Sequence, residues 1–118
     1  VESFSFKELD ELFEKDKEKP KKEILQALIY CLIYKKNTGE TTDLQPSIYS
    51  LRKLFEENFS PEIKRNNQIF SFQDIEEEFT DKLQNLVAEI LSESGRFYQT
   101  PHVKFCQYCP YNKICQRY

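Results

Sequence analysis

Apolar side chains recur at Ile75, Phe79, Leu83, Leu86, Val87, Ile90 and Leu91. This is the i, i+4, i+7/8 spacing of one helical face, kept up for about five turns. A stripe of that length must be buried against other elements. Ser71-Phe72-Gln73-Asp74 reads as the capping box of this helix, with Phe70 and Ile75 in the staple positions. Gly95 falls just past its end, where a left-handed residue is wanted. Ten Phe and seven Tyr in 118 residues supply apolar mass for a modest core.

The remaining periodicities are shorter. Ser5-Phe6-Lys7-Glu8 fits a second capping box, with Phe4 and Leu9 as its staple and a helix from about Phe6 to Asp16. The charged stretch Glu14–Lys22 alternates in sign and reads as a solvated connector. Pro20 suits the first turn of a further helix. Ile24, Ala27, Leu28, Cys31 and Leu32 form its stripe, and Ile29 with Ile33 extends it almost around the circumference, predicting burial on several sides. Lys35 and Lys36 favour its C-terminal end, and Asn37-Thr38-Gly39 stops it. Leu44–Leu54, with Ile48, Tyr49 and Leu51, predicts a strand. Lys64-Arg65 and Gln68–Phe72 flank a hairpin turn at Asn66-Asn67.

The chain thus divides into a connector helix (1–19), a buried motif helix (20–36), a strand region (44–72), a long helix (73–95) and a cysteine-containing tail (96–118). That is an α+β or α/β layout with about three helices and one to three strands. So few strands leave hydrogen-bonding edges open, which predicts completion by further chain or by self-association. Nothing resembles a membrane span or a signal peptide. Met is absent, an initiator included, and the chain is expected to be a piece of a longer protein.

Three features bear on chemistry. Cys106-x2-Cys109-x5-Cys115 places three thiols close enough in sequence to share a metal. A tetrahedral site needs a fourth ligand, for which His102 and Cys31 are the candidates. Cys31, on an apolar stripe, also reads as a small core hydrophobe, and His102 as a plain surface residue. A disulfide framework is the competing use of four cysteines. Secondly, Gln26-x-x-x-Tyr30 sets an amide and a phenol one turn apart on one helical face, a pattern also common at ordinary helix edges. Thirdly, a complete active site is missing. A single His leaves little for nucleophilic catalysis, and Glu18-Lys19 and Glu62-x-Lys64 fall in connectors.

Charge is divided unevenly. All 20 acidic residues lie within 1–93, whereas 94–118 hold Arg96, Lys104, Lys113 and Arg117 and no acid. Six aromatic residues share that tail. Such a mixture either binds phosphates and stacks on bases or packs as an aromatic cap.

The order Gln26-Ala-Leu-Ile-Tyr30, a strand near Ile48–Leu51, a long helix, Phe97-x-x-Thr100-Pro101 and Cys106-Gln-Tyr-Cys109-Pro-Tyr-Asn-Lys-Ile-Cys115 resembles the tail of RecB-like PD-(D/E)XK nuclease domains. It looks most like those of AddB-type helicase–nuclease subunits, over roughly residues 20–118. The resemblance implies a restriction-endonuclease-like fold of which this is the C-terminal portion. It also implies DNA hydrolysis in repair or recombination by the complete domain, with Mg2+ or Mn2+ held by an Asp and an Asp/Glu-x-Lys that precede Val1. Gln26 and Tyr30 inherit a place beside the catalytic lysine and DNA. Cys106, Cys109 and Cys115 match three of four ligands to a [4Fe–4S] cluster. A cytoplasmic setting, a helicase partner and inactivity of these residues alone follow. The rival expectation is a small zinc-binding Cys/His module, with His102 as fourth ligand, that recruits a partner without cutting DNA.

Overall fold

The computed structural model describes residues 4–14, 21–39 and 43–118. Its elements are β1 (Ser5–Phe6), α1 (Asp10–Phe13), α2 (Lys22–Thr38), β2 (Lys64–Arg65), β3 (Gln68–Ile69) and α3 (Phe72–Ile90), followed by a 3-10 turn at Val103–Cys106. The sheet runs β1-β2-β3, with β1 parallel to β2 and β2 antiparallel to β3. This is a mixed α+β arrangement of three helices and three short strands. No helix among the described residues is long and apolar enough to cross a membrane.

The core is small and sits where the three helices meet the sheet. Ile24, Leu28 and Leu32 of α2 face Phe72, Ile75 and Phe79 of α3, with Phe6, Leu9, Leu12 and Ile63 filling the remainder. Phe6 meets Phe70 edge-on at 5.5 Å, and Phe72 meets Phe79 edge-on at 6.1 Å, the preferred geometry for paired rings. Lys35 of α2 bonds Glu76 of α3 at 2.6 Å and lies 6.0 Å above the Phe72 ring, tying the two helices at the edge of the core.

The hairpin forms as its sequence requires. Asn66 and Asn67 adopt φ of 51° and 61°, the left-handed pair that lets a two-residue turn match strand twist. Gly39 ends α2 at φ 64°, its N–H donating to the Lys35 carbonyl, as expected of a helix stop.

Elsewhere tertiary packing overrides local signals. Ser5 does not cap a helix; it lies in β1, because burying Phe6 draws the segment into extended pairing, with Lys64 N–H donating to the Phe4 carbonyl and Asn66 N–H to that of Phe6. The first helix shrinks to Asp10–Phe13. The expected start at Pro20 lies outside the described residues. Helix α2 buries one face with half-buried flanks rather than several sides, and Ile33 and Tyr34 are exposed. Leu44–Leu54 is not a strand. It contributes one bridge, Ser47 to Glu62, and then turns, leaving Leu51 82% exposed. Ser71 occupies the N-cap of α3, but its hydroxyl makes no cap and is buried without a partner. Its carbonyl accepts from Asp74 N–H instead, and Phe72 N–H donates to the Leu44 carbonyl. Gly95 is not left-handed, since Gly39 is the one described glycine with positive φ. The helix stops at Ile90 through Leu91 in a right-handed turn.

The long apolar stripe is used unevenly. Ile75 and Phe79 are fully buried and Leu83 packs at the rim of the core, but Val87, Ile90 and Leu91 face outward. The accessible surface is 9400 Å², against about 6,800 Å² for a compact monomer of this mass. The radius of gyration is 17.1 Å, against about 13.5 Å expected. The end of α3 and the tail contribute no residue to the core.

Candidate functional site

Because Ile24, Leu28 and Leu32 anchor α2 to the core, positions 26 and 30 point away from it. Gln26 Nε2 donates to Tyr30 Oη at 2.8 Å on this exposed face, and Tyr30 is 61% exposed. The pair satisfies one of the amide donors internally and leaves the Gln26 carbonyl oxygen and the phenolic proton able to meet a further group. The clefts beside β1, beside Leu44, and along and at the end of α3 have linings without Gln26 or Tyr30.

Glu62 and Lys64, read from the sequence as connector residues, lie instead on paired extended chain. Ile63 between them is fully buried, so the two charged side chains share the opposite side. Ile63 N–H donates to the Pro46 carbonyl, and Ile48 N–H to that of Pro61. Ser60 Oγ donates to the Glu62 carboxylate. That bond, more than the nearby Lys64 charge, holds its pKa below the ordinary carboxylate value. The signal for this strand was the buried Ile63 flanked by polar residues, too short to stand out by periodicity. A Glu-x-Lys tripeptide on a strand is one component of a metal-dependent nuclease centre, but the others are not gathered around it. Among the described residues, no three His, Cys, Asp or Glu side chains converge to hold a metal ion. Glu18 and Lys19 lie outside the described residues.

The same holds for the cysteines. Cys106 ends the 3-10 turn, and Cys109 N–H donates to its carbonyl at 3.1 Å, closing the C-x2-C turn. Cys115 follows in the last turn. All three are free thiols, as is Cys31, so no disulfide framework forms among them. His102 does not complete a cage with them; its ring packs edge-on against Phe105 at 5.7 Å. Among the described residues, the three cysteines and His102 are not gathered into one set of potential metal ligands. Cys31 is half-buried against the core, and burial pushes its thiol pKa up, in keeping with a packing role.

The tail is ordered by its own turns. Arg117 N–H donates to the Asn112 carbonyl at 2.8 Å and Gln116 N–H to that of Lys113 at 3.3 Å, with Gln116 at φ 56°. This is a Schellman motif built without glycine. The Arg117 guanidinium then reaches back to Gln99 Oε1 at 3.2 Å and to the Thr100 carbonyl, closing residues 99–117 into one lobe. Arg117 is thus engaged within the tail. Arg96 lines a cleft of about 600 Å³ at the end of α3, beside Glu89 and Glu93. Lys104 and Lys113 are exposed. The aromatic residues do not form a packed cap: Phe97 is 104% and Tyr108 89% exposed, and Tyr98, Tyr111 and Tyr118 also face outward.

The family model of the PD-(D/E)XK nuclease superfamily matches residues 7–116. The chain belongs to this superfamily. Its mixed arrangement of helices around a small sheet accords with the restriction-endonuclease-like fold of these nucleases, and membership points to phosphodiester hydrolysis as the parent chemistry. Searches of curated proteins and of solved structures gave no match.

Proposed function

We propose that these residues are the C-terminal part of a RecB-like nuclease domain of the AddB type, whose catalytic Asp and Asp/Glu-x-Lys come from chain outside them. The observation that carries this reading is a contrast: the superfamily match runs through nearly all of the chain, yet the described residues gather no set of metal-binding carboxylates. The succession of Gln26-x-x-x-Tyr30, the long helix α3 and the Cys106–Cys115 tail supports the RecB-like assignment over other branches.

On this reading the complete domain hydrolyses DNA in the cytoplasm during repair or recombination, with a helicase subunit as its partner. Mg2+ or Mn2+ supplies charge stabilisation and an activated water there. The exposed Gln26 amide and Tyr30 phenol line the DNA-facing side and position a phosphate or the catalytic lysine. Cys106, Cys109 and Cys115 supply three thiols toward a [4Fe–4S] cluster, with the fourth ligand also from outside the 118 residues.

The test compares two proteins on labelled single- and double-stranded DNA with Mg2+ or Mn2+. The 118-residue chain is expected to be inert. A version extended by roughly one hundred preceding residues, which keeps the total within the roughly 50–250 residues of a domain, is expected to cut. Robust cleavage by the short chain that survives repurification overturns the proposal.

A further inference from the structure

Apart from Phe105, packed edge-on against His102, the tail lobe makes little use of its aromatic rings to fold. It is held by turn hydrogen bonds and by the Arg117 guanidinium on Gln99 and Thr100, while Phe97, Tyr98, Tyr108 and Tyr118 stand almost entirely in solvent. Its charge is opposite to that of the rest: no acid lies in 94–118, and every one of the 20 acids lies before it. A polyanion is therefore attracted to the lobe and repelled by the body. Flat exposed rings select, among polyanions, one whose bases are unpaired and free to stack. A duplex keeps those faces stacked and offers only its phosphates and the base edges in its grooves.

We propose that the tail lobe is a stacking platform for single-stranded DNA, with Tyr98, Tyr108 and neighbouring rings taking bases and Lys113 a phosphate. This rests on the nuclease reading for the choice of DNA, and it places the strand on a surface separate from the Gln26–Tyr30 face of α2. Arg96, which shares its cleft lining with Glu89 and Glu93, and Arg117, committed to the lobe, are left to structural roles.

The full chain is titrated into fluorescein-labelled dT20 and into a 20-base-pair duplex, in EDTA so that cleavage plays no part. Tighter binding to dT20 is expected, by about tenfold or more. Tyr108→Leu and Tyr98→Leu should each weaken it at least about fivefold, the lower end for one stacked base, while Tyr108→Phe retains it. Lys113→Ala should reduce the slope of log K against log salt by about 0.7, one phosphate on a single strand. Circular dichroism checks that the variants stay folded, which their exposure favours.

Equal affinity for duplex and dT20, or Leu variants that bind as well as the parent, overturns the platform. So does a stable dimer whose rings are protected from solvent, since a second copy then covers them. These outcomes leave the nuclease reading standing, because that reading is judged by metal-dependent cleavage in the extended protein. Conversely, an inert extended protein with intact dT20 selectivity removes the nuclease reading and keeps the platform.

Discussion

Gln26 Nε2 donates a hydrogen bond to Tyr30 Oη across one turn of α2, at 2.8 Å, on the side of the helix turned from the core. A pair so placed stabilises the fold little, because water satisfies both groups equally well. Gln26→Ala and Tyr30→Phe should each change stability by less than about 0.5 kcal/mol in urea denaturation. In the extended nuclease the same changes should reduce cleavage by at least about tenfold, as loss of positioning does. Unaltered cleavage in both variants removes the pair from the site.

The two halves of the α3 stripe should respond very differently to truncation. Phe79 is fully buried, with its ring against Phe13 and Phe72, so Phe79→Ala is expected to cost about 3–5 kcal/mol. Ile90 is 69% exposed, and Ile90→Ala should fall within about 0.5 kcal/mol. A large loss at Ile90 as well means that the end of α3 is covered in solution, which concentration-dependent unfolding then reveals.

Glu11 links α1 to the start of α2 through a 2.8 Å bond from Lys21, whose ammonium also donates to the Ser5 carbonyl. The Lys21 hydrogen bond, opposed by some desolvation, holds the Glu11 pKa below its usual value near 4.5. A carboxylate depressed by folding contributes stability above its unfolded pKa and loses it as pH falls through the folded one. Thermal stability should therefore decline below about pH 4.5, and Glu11→Gln should flatten that part of the profile. A profile identical in the variant dismisses the linkage.

Thiol chemistry should separate the cysteines. Cys31 is half-buried with a raised pKa, whereas Cys115 is exposed. Iodoacetamide in the folded protein should modify Cys115 first and Cys31 far more slowly, read by peptide mass spectrometry. The gap closes in urea. Equal rates in the folded state contradict the packing of Cys31.

Metal analysis discriminates between the two uses of the tail. With no complete cage among the described residues, protein purified without added metal should carry well below one zinc or iron per chain. Stoichiometric zinc, lost with folding on chelation and abolished by His102→Ala, instead establishes the zinc module.

Features whose signal is local and strong were legible in the chain itself. The two long helices follow from apolar spacing, the end of α2 from Gly39, and the hairpin from Asn66-Asn67, since each depends on backbone preferences acting within a few residues. The chain also carried the family, through the order of Gln26, Tyr30 and the three tail cysteines. Long-range packing set the rest. Phe6 is worth more buried beside Phe70 than at the start of a helix, so Ser5 became a strand residue and its capping signal went unused. Ile63, buried alone, drew Glu62 and Lys64 into extended pairing without any periodicity to announce it. The stripe from Ile75 to Leu91 reads as uniform in one dimension, yet the small core reaches only to Leu83, because burial depends on what stands opposite each side chain.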